Sequence, residues 1–262
     1  MHDGTDSCDP AATDVKSSAR WTTRRIALNL ILIGCEWSGK RTLGVEITKW
    51  WSEQTGAEFR PPPSINFHDH YTVPHVVHNE GHDLHKEQSE KDILGLNPGL
   101  LEHFQRYQIE YHFGRGFAES GELWNIDWYY GDAVFAPLYW GYGRPGEYAD
   151  RREMRKHYDE EVMHTMPDTI LVLIKATPDA IRSRMSEGKS LFPERHAATM
   201  FKAEDTEVVL GRFQEEFENS LIAHRFSIDT TDSTVEESLQ EFVTKVETHL
   251  TPADRVRIAT QD

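Results

Sequence analysis

The stretch "LILIGCEWSGKRTLG", Leu30 to Gly44, runs an apolar segment into Gly34, four residues, Gly39 and Lys40. Glycines at that spacing let backbone N–H groups curl around an anion, and a helix starting there adds a partial positive charge. The flanking sequence supplies the setting. Ile26 to Ile33 is apolar apart from Asn29, as in a strand buried on both faces. Arg41 to Gln54 carries Leu43, Val45, Ile47, Trp50 and Trp51, with Gly56 as a stop, which predicts a helix. Together they predict a phosphate-binding loop of Gly34, Glu36, Ser38, Gly39, Lys40, Arg41 and Thr42. One position departs from the motif. The residue after the lysine is ordinarily Ser or Thr, whose hydroxyl ligates Mg²⁺. Here it is Arg41, an obligate cation with no acceptor, and Thr42 comes one place late.

Working outward, strands and helices alternate. Short strands are predicted at Ser64 to Phe67 and Glu122 to Ile126, a clear one at Thr169 to Lys175, and a last one at Phe226 to Asp229. Helices are predicted from Pro98, with Leu101, Phe104, Tyr107 and Tyr111 on one face, and over Glu147 to His164. Three more are predicted from Pro178, over Ala203 to Ser220, and over Thr234 to Leu250. Tyr129 to Gly143 reads as an aromatic, glycine-rich stretch without an assigned element. The alternation implies an α/β three-layer sandwich, a parallel sheet of about five strands with helices on both faces. Residues 1–25 read as a polar tail, 26–250 as a single domain and 251–262 as a C-terminal tail. Residues 68–97 form a histidine-rich insertion.

The chain has 262 residues and a formal net charge of −16, which argues against a nucleic-acid polymer as partner but not against a mononucleotide in a local basic pocket. No apolar run is long enough to span a bilayer, and no secretory leader is visible, so no membrane partner is expected. Two cysteines, Cys8 and Cys35, do not suggest a disulfide framework, and the compartment reads as reducing and cytoplasmic. A homodimer is left open.

"GCEWSGKRT" resembles the loop of the nucleoside and nucleoside-monophosphate kinases, P-loop enzymes of the thymidylate kinase and deoxynucleoside kinase type. Adenylate kinases carry Gly-Lys-Gly-Thr, a precedent for the late Thr42, and bacterial thymidylate kinases carry a glutamate where Glu36 stands. "TILVLIKATPDAIRSRM" resembles the strand, turn and arginine-bearing helix that lead into their lid, which here would cover residues 182–202. "FSIDTTDSTVEESLQEF" resembles their last strand, base-side loop and last helix. "WNIDWYYGDAVFAPLYWGYG" resembles the thymidylate kinase stretch beginning Asp-Arg; Asp127 matches the aspartate and Trp128 replaces the arginine. "HFQRYQIEYH" is similar to a helix whose glutamine, here Gln105, pairs with the base.

The resemblance implies an ATP-dependent kinase using Mg²⁺, with a nucleoside or nucleoside monophosphate as its small-molecule acceptor. Lys40 would neutralise the transferring phosphate. Arg182 and Arg184 would close over the phosphates; two apart on a helix, they point about 160° away from one another, so one can face the phosphates while the other pairs at the surface. Lys189 and Arg195 are further lid cations. Asp69, after the second strand, could take a proton from an acceptor hydroxyl. Asp127 and Thr42 are the candidate metal residues, and Asp132 is a substitute for Asp127. Gln105, Arg106, Asp127 and Tyr130 are the candidate substrate contacts. Three other readings stay open, the first a kinase whose acceptor is a non-nucleoside hydroxyl compound, since fold alone does not set the acceptor. Arg41 and Trp128 favour a nucleotide sensor or degenerate kinase without transfer. His68, His70, His75, His78, His82 and His85 favour a metal-binding protein, although no established zinc signature is present.

Overall fold

A computed structural model describes residues 28–56, 68–69, 86–113, 124–188, 190 and 199–260. The expected tail 1–25, the remaining histidines from His70 to His85, and the lid residues Lys189 and Arg195 lie outside the described residues.

The described strands are β1 (Leu30–Ile33), β2 (His68–Asp69), β3 (Trp124–Ile126), β4 (Ile170–Lys175) and β5 (His224–Asp229). They form one five-stranded sheet in the order β2-β3-β1-β4-β5, with every pairing parallel. The register sets Leu30 of β1 opposite both Trp124 and Ile170. Alternation along these strands builds two cores. Ile31, Ile33, Leu171 and Leu173 face one side; Leu30, Leu32, Ile170, Val172 and Ile174 face the other. Both faces are apolar because both are covered by helices, so the strands read as continuous hydrophobic runs.

Helix α1 (Lys40–Thr55) packs Leu43, Ile47 and Trp51 on the second core, together with α8 (Val235–Val246). Helix α1 ends where Gly56 turns left-handed, as its glycine stop predicts. On the first face lie α3 (Pro98–Glu110), α4 (Trp128–Phe135), α5 (Arg151–Thr165), α6 (Pro178–Glu187) and α7 (Thr206–Glu218). Helix α2 (Lys86–Leu94) precedes α3, and Asn97 caps α3 through Leu100 N–H with Pro98 in the first turn. The strand order reverses around β1, and in open α/β sheets such a reversal marks where ligands collect beyond the strand ends. This is a three-layer α/β sandwich.

Three expectations need correction. The aromatic stretch from Tyr129 is helical: α4 is followed by a π-helical turn, Ala136–Trp140, and every residue of α4 is buried. A helix that is apolar all round has no amphipathic period to detect. The expected tail 251–262 contains α9 (Pro252–Ala259), which packs on α1 and is opened by a reciprocal capping box between Thr251 and Asp254. The buried face of α3 is also not the aromatic one. Tyr107 is 64 % exposed, whereas Leu101, Glu102, Gln105, Gln108 and Ile109 are buried.

A buried acid on α3 and another on α4 need partners, and Arg151 supplies one to both. Its guanidinium lies 1 % exposed between Glu102 (3.0 Å) and Asp132, with the Tyr142 ring 4.7 Å beneath it. The Tyr142 hydroxyl donates to Asp132 at 2.8 Å, and Arg106 reaches Glu102 at 2.6 Å. Burial raises the Asp132 carboxyl above the usual carboxylate range, with Arg151 pulling the other way. This network ties α3, α4 and α5 into one unit.

Helix α7 contains Gly211 in its middle, where an added Cβ would meet nothing within 4 Å. Gly211→Ala is therefore expected to stabilise the protein by about 1 kcal/mol through helix propensity alone, read as a rise in the urea midpoint.

Candidate functional site

The site is built at the carboxyl end of β1, where the chain leaves the sheet at Gly34 and enters α1 at Lys40. Gly34 is required by space: a Cβ there would sit 2.4 Å from the Ile174 carbonyl of β4. Gly39, at φ +90°, turns the chain into the helix, and Trp37 is held at φ +64°. Helix α1 has no side-chain cap and no acidic residue in its first turn, so its N-terminal dipole is not answered by a carboxylate there.

Lys40 is buried, and its ammonium contacts Asp127, the Gly34 carbonyl and the face of Phe213, the last at 5.5 Å. Asp127 follows β3 at φ +61° and is fully buried; its other oxygen accepts from Gly34 N–H at 3.2 Å. The strained backbone of Asp127 and Trp128 points this carboxylate under the loop. The charge of Lys40 is thus matched by the Asp127 carboxylate.

A pocket of about 220 Å³ opens beside the loop. It is lined by Glu36, Trp37, Gly39, Lys40, Arg41 and Thr42 from the loop and α1, by Arg184 from α6, and by Thr230, Ser233 and Thr234 from the segment after β5. Arg184 donates to the Trp37 carbonyl and the Thr230 hydroxyl, each at 3.2 Å, and also to the Thr230 carbonyl. Burial lowers its pKa from the ordinary arginine value. Thr230 donates in turn to the carbonyls of Ser38 (2.7 Å) and Lys175 (3.1 Å). Glu36 accepts from the Thr199 hydroxyl at 2.6 Å. Cys35, at the back of the loop, is buried, and burial pushes its thiol above the usual range.

The structure gathers Gly34, Glu36, Ser38, Gly39, Lys40, Arg41, Thr42 and Arg184 around the loop. Arg182 does not line this pocket; it pairs with Glu207 and Asp179 at the surface of α6. Asp69 ends β2 in register with Ile126, which places its backbone at the same sheet edge as Asp127. Gln105 is buried on α3, and Arg106 is engaged by Glu102 and the Tyr148 hydroxyl. Tyr130 is corrected as a substrate contact. It is fully buried, with its hydroxyl held by Asp159 at 2.6 Å and Ser220 at 2.7 Å, because a hydroxyl in the core must be satisfied there.

A magnesium ion is implied by the resemblance, with Thr42 and Asp127 as its residues. They do not fit it. Thr42 borders the pocket, whereas Asp127 does not and is committed to Lys40 and the Gly34 amide. Arg41 stands where a hydroxyl would reach the metal. Sequence reasoning missed Thr230, Thr199 and Arg151. The polar "DTTDST" run after β5 was the available signal for Thr230, since it follows the carboxyl end of a strand.

No protein-family model matches the chain, and no curated protein does. Among solved structures, the chain is similar to deoxyadenosine kinase from M. mycoides with bound dCTP, at 13 % identity and a TM-score of 0.47, covering 84 % of this chain and 100 % of that one. It is also similar to the same enzyme with bound dATP, at 15 % identity and a TM-score of 0.48, covering 83 % and 98 %.

Proposed function

We propose that the chain is an ATP-dependent small-molecule kinase that transfers the γ-phosphoryl group to a nucleoside or nucleoside monophosphate. The observation that carries this reading is the buried Lys40 at the start of α1, behind a glycine loop whose pocket also holds Arg41 and Arg184. In this reading 26–250 is one kinase domain, and α9 is packed on it.

The chain's own residues divide the work. Loop amides and Lys40 take the β- and γ-phosphates once Lys40 leaves Asp127. Arg184 borders the pocket as a cation on an element leading to the lid, suited to charge that develops on the phosphoryl oxygens. The acceptor oxygen attacks the γ-phosphorus in line, the bond to the bridging β–γ oxygen breaks, and that oxygen leaves with the electron pair as ADP. For a nucleoside, the hydroxyl proton goes to Asp69; a monophosphate is already anionic and needs no base. The acceptor lies on the side of α3 and Gln105.

A nucleotide sensor without transfer is the second reading, favoured by Arg41 after the lysine and by Trp128, which is buried with its indole N–H on the Ile109 carbonyl. The deciding experiment offers labelled ATP with a panel of nucleosides, nucleoside monophosphates and small hydroxyl compounds. Transfer to one acceptor, lost in Lys40→Ala, is the expected result. ATP binding without transfer to any member would replace the kinase reading with the sensor.

A further inference from the structure

We propose that His224 and His249 form a two-histidine site for a zinc-class divalent metal ion at the amino end of β5. These are not the histidines of the 68–85 stretch. The pocket beside the phosphate loop includes Thr230, just past the carboxyl end of β5, so the pair lies at the other end of the strand. The inference stands independently of the donor-site reading.

The two rings sit on ordered elements. His224 is the first residue of β5, and the parallel register sets it beside Ile170 of β4. His249 lies just beyond the end of α8, with its backbone N–H on the Val246 carbonyl at 2.8 Å. Phe226, also on β5, stacks on the His249 ring at 5.7 Å with 13° between the planes. Both imidazoles are half-buried. A strand, a helix end and an aromatic neighbour thus position the nitrogens before any ligand arrives.

Geometry separates a shared ion from a plain hydrogen bond. The two Nδ1 atoms face each other at 3.3 Å, and the ring centroids are 5.3 Å apart. Nitrogen donors ordinarily close to about 2.9–3.0 Å from their acceptors, so the pair is long for a hydrogen bond. A metal about 2.05 Å from each nitrogen at the tetrahedral angle sets the nitrogens about 3.3 Å apart and the centroids about 5.2 Å apart. Both spacings match that arrangement.

The chemistry agrees. A ligating nitrogen must be unprotonated. Partial burial, and then the neighbouring His224, lower the His249 pKa from the usual histidine value, which favours the neutral ring. Neutral imidazole suits zinc, copper and nickel, whereas magnesium takes oxygen ligands. Among the described residues no third histidine, cysteine, aspartate or glutamate joins the pair, and the proposal gives the other positions to water. Half the ligand set of a structural zinc site implies a Kd of about 1–100 µM. Bound there, the ion joins the edge strand β5 to the end of α8.

The test uses the full chain with ¹⁵N-labelled histidine, zinc chloride as the probe, and the variants His224→Gln and His249→Gln. Saturating zinc is expected to move the Nδ1 resonances of both histidines together, each assigned by its loss in one variant. Equilibrium dialysis is expected to find one zinc ion fewer on either variant than on wild type. Thermal melts confirm that the variants are folded, and either one suffices for the count. Zinc that moves only one of the two resonances overturns the inference. So does zinc that moves neither because it binds other histidines, or an unchanged number of bound ions.

Discussion

Lys40→Met is expected to cost about 3 kcal/mol of folding stability as well as at least about a thousandfold in phosphoryl transfer. The two losses have different origins. Stability falls because Asp127 is fully buried and Lys40 is its counter-ion, so the variant takes that cation away from a carboxylate in the interior. Breaking one side of a buried pair is costly in this way even where the pair itself adds little. On the proposed kinase reading, transfer falls because that reading assigns Lys40 to the γ-phosphoryl. The double variant Lys40→Met, Asp127→Asn separates the effects: it should recover most of the denaturant midpoint and none of the transfer. If Lys40→Met melts with wild type, Asp127 is not the partner that holds the lysine.

Arg151→Met is the second large effect. Methionine keeps most of the side-chain length, but its loss of charge removes the counter-ion of Asp132 and one of the cations on Glu102, which keeps Arg106; both acids are almost completely buried. We expect a loss of about 3–5 kcal/mol, enough to bring a domain of ordinary stability close to unfolding at 37 °C. Neutralising the acids together with the arginine, as Glu102→Gln, Asp132→Asn, Arg151→Met, should restore much of it. Urea unfolding of the two variants reads the difference, and equal losses in both would mean that lost packing on Tyr142, not stranded charge, dominates.

These two sites show where the sequence is legible. The strand, loop and first helix could be read because a buried apolar run, fixed glycines and a 3.6-residue period are local signals, and Leu30–Ile33 and Lys40–Thr55 follow them closely. Asn97 with Pro98 announces α3 in the same way. The pairing of Lys40 with Asp127 is not local: the acid comes from another strand, and only the parallel register of β1 with β3 brings it under the loop. Arg151 could not be found either, because a charged residue at the start of a charged helix reads as solvated until its neighbours are known. Helix α4 was hidden by being buried on every side. The capping box at Thr251 was in plain view, and its helix was passed over because the segment lies near the chain end.

Thr230 bears on how the loop moves. Its single hydroxyl proton is shared between the Ser38 and Lys175 carbonyls, and Arg184 clamps the same residue from outside. The loop, β4 and the segment after β5 are therefore fastened at one point. Segments tied in this way open cooperatively instead of fraying separately. The amides of Ser38 to Lys40 should accordingly exchange with deuterium in step with those of the β4 and β5 ends, as one protected block. A nucleotide arriving at the pocket would then meet a loop whose shape is already set by the sheet, and its binding would slow exchange across all three segments at once.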